Sequence, residues 1–310
     1  MAYDIVILTD FRYENPQKTD WYINQILQED SLVFDALKQQ NLKVIRKSWD
    51  APDFDWSSCS CAIFRTTWDY FDRYAEFFEW LEKTRKVLQF INVPEIIYWN
   101  LDKHYLKDLY QKQINIPPTL FIEKGETQKL ASFLTQNNWE KAVLKPAIGG
   151  AARETFKITK ENCTEHEKDF SRLLLKESML LQEFQNKIVS DGEMSLIMID
   201  GQFTHAVIKK AKSGDFRVQD DFGGSVEIYH PNETEINFAE KTISACPYSP
   251  LYARVDIFYD NNNHLALGEL ELIEPELWFR NHPEAANKLA NTVAKFIITN
   301  KHSQCLKKQN

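Results

Sequence analysis

Two segments near the C-terminus alternate apolar and polar residues on either side of a turn. They are Tyr252-Ala-Arg-Val-Asp-Ile-Phe-Tyr259 and Leu267-Gly-Glu-Leu-Glu-Leu-Ile-Glu-Pro275, with Asp260-Asn261-Asn262-Asn263 between them. A period of two marks a strand with unlike faces, so this stretch predicts a β-hairpin. The same period puts Arg254 and Asp256 on one face of the first strand, and Glu269 and Glu271 on one face of the second. Paired, the strands would gather three carboxylates and a guanidinium on one patch of sheet. An apolar core cannot hold such a patch. Either the patch faces water, as on any half-solvated sheet, or it surrounds a hard divalent cation that takes oxygen ligands and bridges phosphates.

At 310 residues the chain has length for two or three packed units. Its first hundred residues alternate strand and helix. Strand Asp4–Thr9 is followed by a loop (11–20), a helix from Trp21 to about Gln40 and a strand Lys43–Arg46. A strand Cys61–Arg65, a helix Tyr74–Arg85 and a short strand Val87–Ile91 come next. That alternation predicts a doubly wound parallel sheet. No glycine-rich fingerprint follows the first strand, so dinucleotide binding has no support there. A boundary falls near Asn92-Val-Pro-Glu95, and a helix after Asn100-Leu-Asp-Lys103 ends before Pro117-Pro118. From Ala142 the chain reads as a small α+β unit: strand 142–145, glycines 149 and 150, strand 154–158, helix 165–177 and strand 179–184. A larger mixed unit runs from Met194 to a helix Ala285–Thr299, and the polar residues 301–310 are expected to fray.

Within this frame several residue types invite chemistry. Lys145 ends an apolar strand and precedes Pro146-Ala-Ile-Gly149-Gly150, where glycine would let backbone N–H groups approach an anion. Taken alone, it is also an ordinary surface lysine before a turn. Gln182-Glu183-Phe184 ends another apolar strand and Glu193 follows, an order that suits an adenine edge and ribose hydroxyls. Lys209, Lys210, Lys212 and Arg217, before Gly223-Gly224, form a basic cluster in a chain of net charge −8. Such cations would neutralise phosphate oxygens while the acidic hairpin held a metal. The net negative charge argues against nucleic acid as a partner. No apolar run approaches the roughly 20 residues of a membrane span, which implies no membrane partner and a cytoplasmic setting. Five scattered cysteines predict buried thiols, with Cys59 and Cys61 sharing one strand face, and neither disulfides nor zinc.

Taken in order, Lys103, Lys145-Pro with its glycines, Gln182-Glu183-Phe184, Glu193, Lys209 to Arg217 with Gly223-Gly224, Arg254-Val-Asp256 and Glu269-Leu-Glu271 resemble the ATP-grasp superfamily of ATP-dependent ligases. The resemblance is nearest the branch of glutathione synthetases and ribosomal-protein glutamate ligases. Phe64-Arg-Thr-Thr-Trp-Asp-Tyr70, Trp99-Asn-Leu-Asp-Lys103 and Glu269 to Pro275 are similar to a narrower group that includes the cyclo-ligase of cycloserine biosynthesis. It covers residues 4 to 298. The resemblance implies an N-terminal α/β domain (1–97), a linker helix and α+β lid (98–184), a C-terminal α+β unit with the metal site (185–300) and a polar tail (301–310). It implies ATP and two magnesium ions, replaceable by manganese, on Asp256, Glu269 and Glu271. Lys103 and Lys145 would contact the nucleotide with Gly149 and Gly150, Gln182 to Phe184 would form the adenine hinge, and Glu193 would hold the ribose. Arg254, with Lys209 and Arg217, would face the transferred phosphate. The family usually has Glu-x-Asn at the final metal pair; this chain has Glu-x-Glu, and Glu274 is an alternative partner in that pair. The implied activity joins a carboxylate to an amine through an acyl phosphate. Intramolecular cyclisation and mere nucleotide binding are its rivals, and self-association is left open.

Substrate choice is expected to rest on Arg65, Thr66, Thr67, Trp68 and Asp69. This loop follows a buried strand at its carboxyl end, where ligands of open α/β sheets gather. Arg65 could pair with the carboxylate of an amino-acid-like substrate, and Trp68 could wall it. A helix start with Trp68 in the core is the competing reading of the same residues.

Overall fold

The computed structural model describes residues 1–212 and 223–307. Three sheets follow one another along the chain. The first has strands β1 (Tyr3–Thr9), β2 (Val44–Ser48), β3 (Cys59–Thr66) and β4 (Gln89–Ile91) in the order β2-β1-β3-β4, all parallel. Ile5, Val6, Ile7 and Leu8 are all fully buried, the continuous apolar run of a strand covered on both faces. Alternation divides them. Ile5 and Ile7 pack with helix α2 (Trp21–Gln39) and the C-terminal helix α10 (Pro283–Lys307), while Val6 and Leu8 pack with α3 (Tyr74–Thr84) and α4 (Pro94–Leu101). A short helix α1 (Phe11–Glu14) interrupts the loop expected between β1 and α2. Asp20 caps α2 by accepting from Ile23 N at 2.8 Å. Cys59 and Cys61 are both buried, yet they enter different hydrophobic clusters rather than sharing one.

The linker is two helices rather than one, α4 and α5 (Tyr105–Gln111), because Pro94 starts a helix and Lys103 N leaves the helical pattern to bond Ala147 O at 2.8 Å. The second sheet, β5 (Thr119–Ile122), β6 (Lys141–Pro146), β7 (Phe156–Thr159) and β8 (Met179–Glu183), runs β5-β8-β6-β7, with antiparallel neighbours. Ala142, Leu144, Met179 and Leu181 face helices α6 (Leu130–Gln136) and α7 (Cys163–Leu174). The opposite parity, Val143, Lys145 and Gln182, is thereby turned into the central cleft.

The third sheet follows a one-turn helix α8 (Asn186–Asp191). Its strands are β9 (Glu193–Ile199), β10 (Gln202–Lys210), β11 (Ser225–Tyr229), β12 (Tyr252–Tyr259) and β13 (Leu265–Glu271), in the order β11-β10-β9-β12-β13 and antiparallel throughout. Helix α9 (Glu233–Ser244) and α5 cover the face bearing Val255, Ile257, Leu267 and Leu270. The register slips at Asp256/Ile257, so Gly268 is an extra residue in β13. This bulge lets Leu267 enter the core while Glu269, two residues on, faces the cleft. A Cβ at Gly268 would lie 2.9 Å from Glu193 Oε1 and 3.1 Å from the Phe258 ring. Helix α10 continues to Lys307, beyond the expected end at Thr299, because no glycine or proline stops it. Among the described residues no helix is long and apolar enough to cross a membrane.

Candidate active site

A cleft of about 530 Å³ opens between the second and third sheets and reaches the loops at the carboxyl ends of β1 and β3. Lys103, Lys145, Gly149, Gly150, Gln182, Glu183, Glu193, Lys209, Arg254, Asp256, Glu269 and Glu271 all line it, so the structure brings most of the expected site together. Phe184 does not line it. Its ring turns away to lie under the Lys157 ammonium at 4.7 Å. Arg217 lies outside the described residues.

The acids at the closed end are tightly engaged. Asp256, 1% exposed, accepts from Ser195 Oγ at 2.6 Å, from Lys209 Nζ at 2.9 Å and from Arg254 Nη2 at 2.9 Å. Burial alone would raise its pKa; Arg254 and Lys209 outweigh that and hold it at about 2. Glu269 meets Lys103 Nζ at 2.8 Å, and Glu271 meets Arg254. Burial, with repulsion from Glu269, Asp256 and Glu274, pushes Glu271 up to about 8 against the pull of Arg254. Burial likewise carries Glu274 to about 7. Among the described residues no three such side chains converge into a ready metal cage. The donor set still suits magnesium: hard carboxylate oxygens on one sheet face, with more negative charge than the lysines and arginine beside them relieve.

Lys209 is 4% exposed and held between Glu193 at 2.7 Å and Asp256 at 2.9 Å, so its charge is already matched. Its sequence neighbour Lys210 points the other way, to Glu227, and the basic run therefore does not gather as one patch. Glu193, expected at a ribose, lines the cleft and meets Lys209 at 2.7 Å. Lys145 differs from all of these. Among the described residues no carboxylate comes within ion-pair distance of it, and burial with help from Lys103 lowers its pKa despite Glu269. The ammonium faces the cleft beside Val143 and Gln182. Around it, Lys103 Nζ donates to Gly149 O at 2.6 Å, and Gln182 Nε2 donates to Thr119 Oγ1 at 3.0 Å. Gly150 abuts the first unit: a Cβ there would sit 2.8 Å from the Phe71 ring.

The loop expected to choose the substrate is mostly interior. Arg65 is 1% exposed, donates to Pro275 O at 3.0 Å and lies over the Phe279 ring, so it does not reach the cleft. Thr66 shares a 2.6 Å hydrogen bond with Thr9, Thr67 is buried, and Asp69 accepts from Trp49 Nε1 at 2.7 Å and from Arg73 at 2.9 Å. A strand end packed under another unit is closed to solvent, and most of its polar groups are engaged in structural bonds, although Thr67 Oγ1 and Arg65 Nε are buried without a hydrogen-bond partner among the described residues. Only Trp68 of the five lines the cleft. The residues missed include Arg12 and Tyr13 on α1, Tyr22 at the start of α2, Phe71, Arg153 on the glycine loop, and Glu276. Their one sequence signal was position: Arg12 and Tyr13 follow a buried strand directly, as Arg65 does.

Two α+β units clasping a cleft with an uncompensated lysine on one wall and paired acids on the other define an ATP-grasp architecture. Residues 102–272 match the RimK-like ATP-grasp domain, and residues 5–92 match the N-terminal domain of D-cycloserine synthetase DcsG. The cycloserine biosynthesis protein DcsG of Streptomyces lavendulae is 28% identical over 167 residues, 53% of this chain and 56% of that protein. The chain thus aligns with about half the length of that curated relative. In fold it is similar to the crystal structure of D-cycloserine synthetase DcsG, with TM-score 0.83 and 23% identity over 94% of this chain and 99% of that one. D-alanine–D-alanine ligase from Bacillus anthracis complexed with ATP follows at TM-score 0.63 and 12% identity, over 98% and 100%. The ATP-grasp ligase PsnB with precursor peptide PsnA2 and AMPPNP gives 0.59 and 13%, over 94% and 98%. The chain belongs to the RimK-like ATP-grasp family, a family of ATP-dependent ligases.

Proposed function

We propose that this protein is an ADP-forming ligase that activates the carboxylate of an amino-acid-like small molecule and passes the acyl group to an amine. The observation that carries this reading is Lys145, a cleft-facing ammonium with no carboxylate of its own among the described residues, opposite a wall where Asp256, Glu269 and Glu271 are crowded. A cation left unmatched in a buried cleft is matched by an anion from outside, and a nucleotide phosphate is such an anion. Magnesium, when bound to Asp256, Glu269 and Glu271, would neutralise the charge that spreads over phosphoryl oxygens during transfer.

Each residue has a distinct part. Lys145 and Lys103 would draw the phosphates to the glycine loop, and Arg254 would face the γ-phosphate from the sheet. The substrate carboxylate oxygen attacks the γ-phosphorus, ADP leaves, and an acyl phosphate forms. The amine then attacks the acyl carbon, loses a proton and expels phosphate. The glycine loop against Phe71 would keep water from the intermediate. Because the likeness to the D-cycloserine synthetase extends through both parts of the chain, a second reading places the amine on the same molecule as the carboxylate, giving a ring. A panel of free amino acids, alone and in pairs, assayed for ADP release with magnesium and ATP, tests the proposal. Release that requires one of these acids supports it; ATP bound without turnover on any member would reduce the protein to a nucleotide-binding module. Mass spectrometry of the product distinguishes joining from cyclisation.

A further inference from the structure

The chain leaving β13 crosses from Leu272 to Leu277 without secondary structure, and each backbone carbonyl on the way is taken by a side-chain donor. Asn92 Nδ2 donates to Leu272 O at 2.8 Å, Tyr252 Oη to Ile273 O at 2.5 Å and Trp68 Nε1 to Glu274 O at 2.9 Å. Arg65 Nη1 donates to Pro275 O at 3.0 Å, Arg254 Nη1 to Glu276 O at 3.5 Å and His205 Nε2 to Leu277 O at 2.8 Å. Buried carbonyls need partners, but a regular strand would have supplied them more simply. Three donors come from the first unit and three from the third, so the strap is fixed between the two. It holds two acids up to the cleft, Glu274 and Glu276.

The other acids at this end each have a cation: Asp256 has Lys209 and Arg254, Glu269 has Lys103, Glu271 has Arg254, and Glu276 has Arg280 at 2.6 Å. Among the described residues Glu274 has none. Its carboxylate faces the hydroxyl of Tyr70. Beside it the cleft wall is aromatic: Trp68, with Tyr13 edge-on at 6.1 Å, and Phe71. A dehydrated divalent ion needs further oxygen ligands, and aromatic rings supply none. A carboxylate with aromatic faces around it suits an ammonium group.

We propose that Glu274 recognises the positively charged amine of the substrate, and that Arg65, Trp68 and Tyr70 are positioning residues that hold it there. The inference rests on the ligase reading above and narrows its substrate class to acids that carry a free amine. Arg65 thereby acts on the substrate through the strap and not by touching it.

The test uses ADP release by the full-length protein with a panel of D- and L-amino acids and their N-acetyl derivatives. Wild-type protein turns over free amino acids and not the N-acetyl compounds. Glu274→Gln raises the KM for the free amino acid by about 10- to 100-fold, the usual worth of a lost charge-assisted contact, while ATP affinity and the magnesium midpoint stay put. Trp68→Phe keeps the ring, removes the indole donor and shifts the same preference in the same direction by less. Should Glu274→Gln fail to fold by thermal melt, Trp68→Phe carries the test alone. Equal use of N-acetyl compounds by the wild type overturns the inference. So does a raised magnesium midpoint in Glu274→Gln, which would make Glu274 a metal ligand. If the wild type releases ADP with no member of the panel, the ligase reading itself fails, a result visible before any variant is made.

Discussion

Replacing Lys145 by Met should separate binding from stability in a way a structural lysine would not allow. The ammonium lies half-buried in the cleft wall with no carboxylate partner among the described residues, and burial lowers its pKa below the ordinary lysine value. A depressed lysine pKa means the folded state resists the proton; that penalty is present in full at neutral pH and is relieved only as pH rises through the folded pKa toward 10.5. Lys145→Met keeps the length and apolar stem but removes the charge. Thermal stability without nucleotide should therefore stay level or rise. Binding of a non-hydrolysable ATP analogue should fall by about 1.5–3 kcal/mol, the loss of one charge-assisted contact, which is about 10- to 150-fold in Kd. Isothermal titration with magnesium present gives the affinity, and a thermal melt of the free protein gives the stability. Unchanged affinity, or a free protein that loses stability by more than about 1 kcal/mol, would refute the argument that Lys145 is held unpaired for an incoming phosphate.

Asp256→Ala should remove magnesium-dependent ADP formation by orders of magnitude and also cost about 3–5 kcal/mol in a urea titration, because Lys209 and Arg254 lose their shared counter-charge. Gly268→Val should destabilise the protein by about 1–3 kcal/mol in the same assay, since its side chain would be driven into Glu193 and Phe258 at the bulge; a neutral result would contradict the bulge. His205, buried beside His282, has its pKa lowered from 6.5 to about 4, chiefly by burial. The unfolded chain takes up the proton first. The contribution of His205 to stability should be flat above pH 6.5 and fall by up to about 3 kcal/mol as pH drops toward 4. His205→Gln should remove that part of the acid sensitivity.

The parts of the site legible in the sequence were those written in a local period. Alternation along β12 and β13 put Arg254, Asp256, Glu269 and Glu271 on one face, and Lys145 and Gln182 stood out as polar residues ending apolar strands, which the structure turns into the cleft. What stayed hidden depends on partners far along the chain. Arg65 and Trp68 bond carbonyls 210 and 206 residues away, so nothing near them revealed that a substrate-like loop was a clamp on the strap. Lys209 read as a phosphate contact because its two acids, Glu193 and Asp256, lie on neighbouring strands and in no common motif. The break between α4 and α5 has the same origin, a backbone bond from Lys103 to Ala147 that no local propensity encodes.

Isotope transfer tests the central claim most directly. The amino acid that releases most ADP is prepared with 18O in its carboxylate, turned over with magnesium and unlabelled ATP, and the inorganic phosphate is examined by mass spectrometry. If the carboxylate attacks the γ-phosphate and the acyl phosphate is then captured by an amine, each phosphate released carries one 18O atom from the substrate. Phosphate that emerges unlabelled while ADP accumulates would mean that water, and not the substrate carboxylate, receives the phosphoryl group, and would contradict the assignment of this cleft as a ligase site.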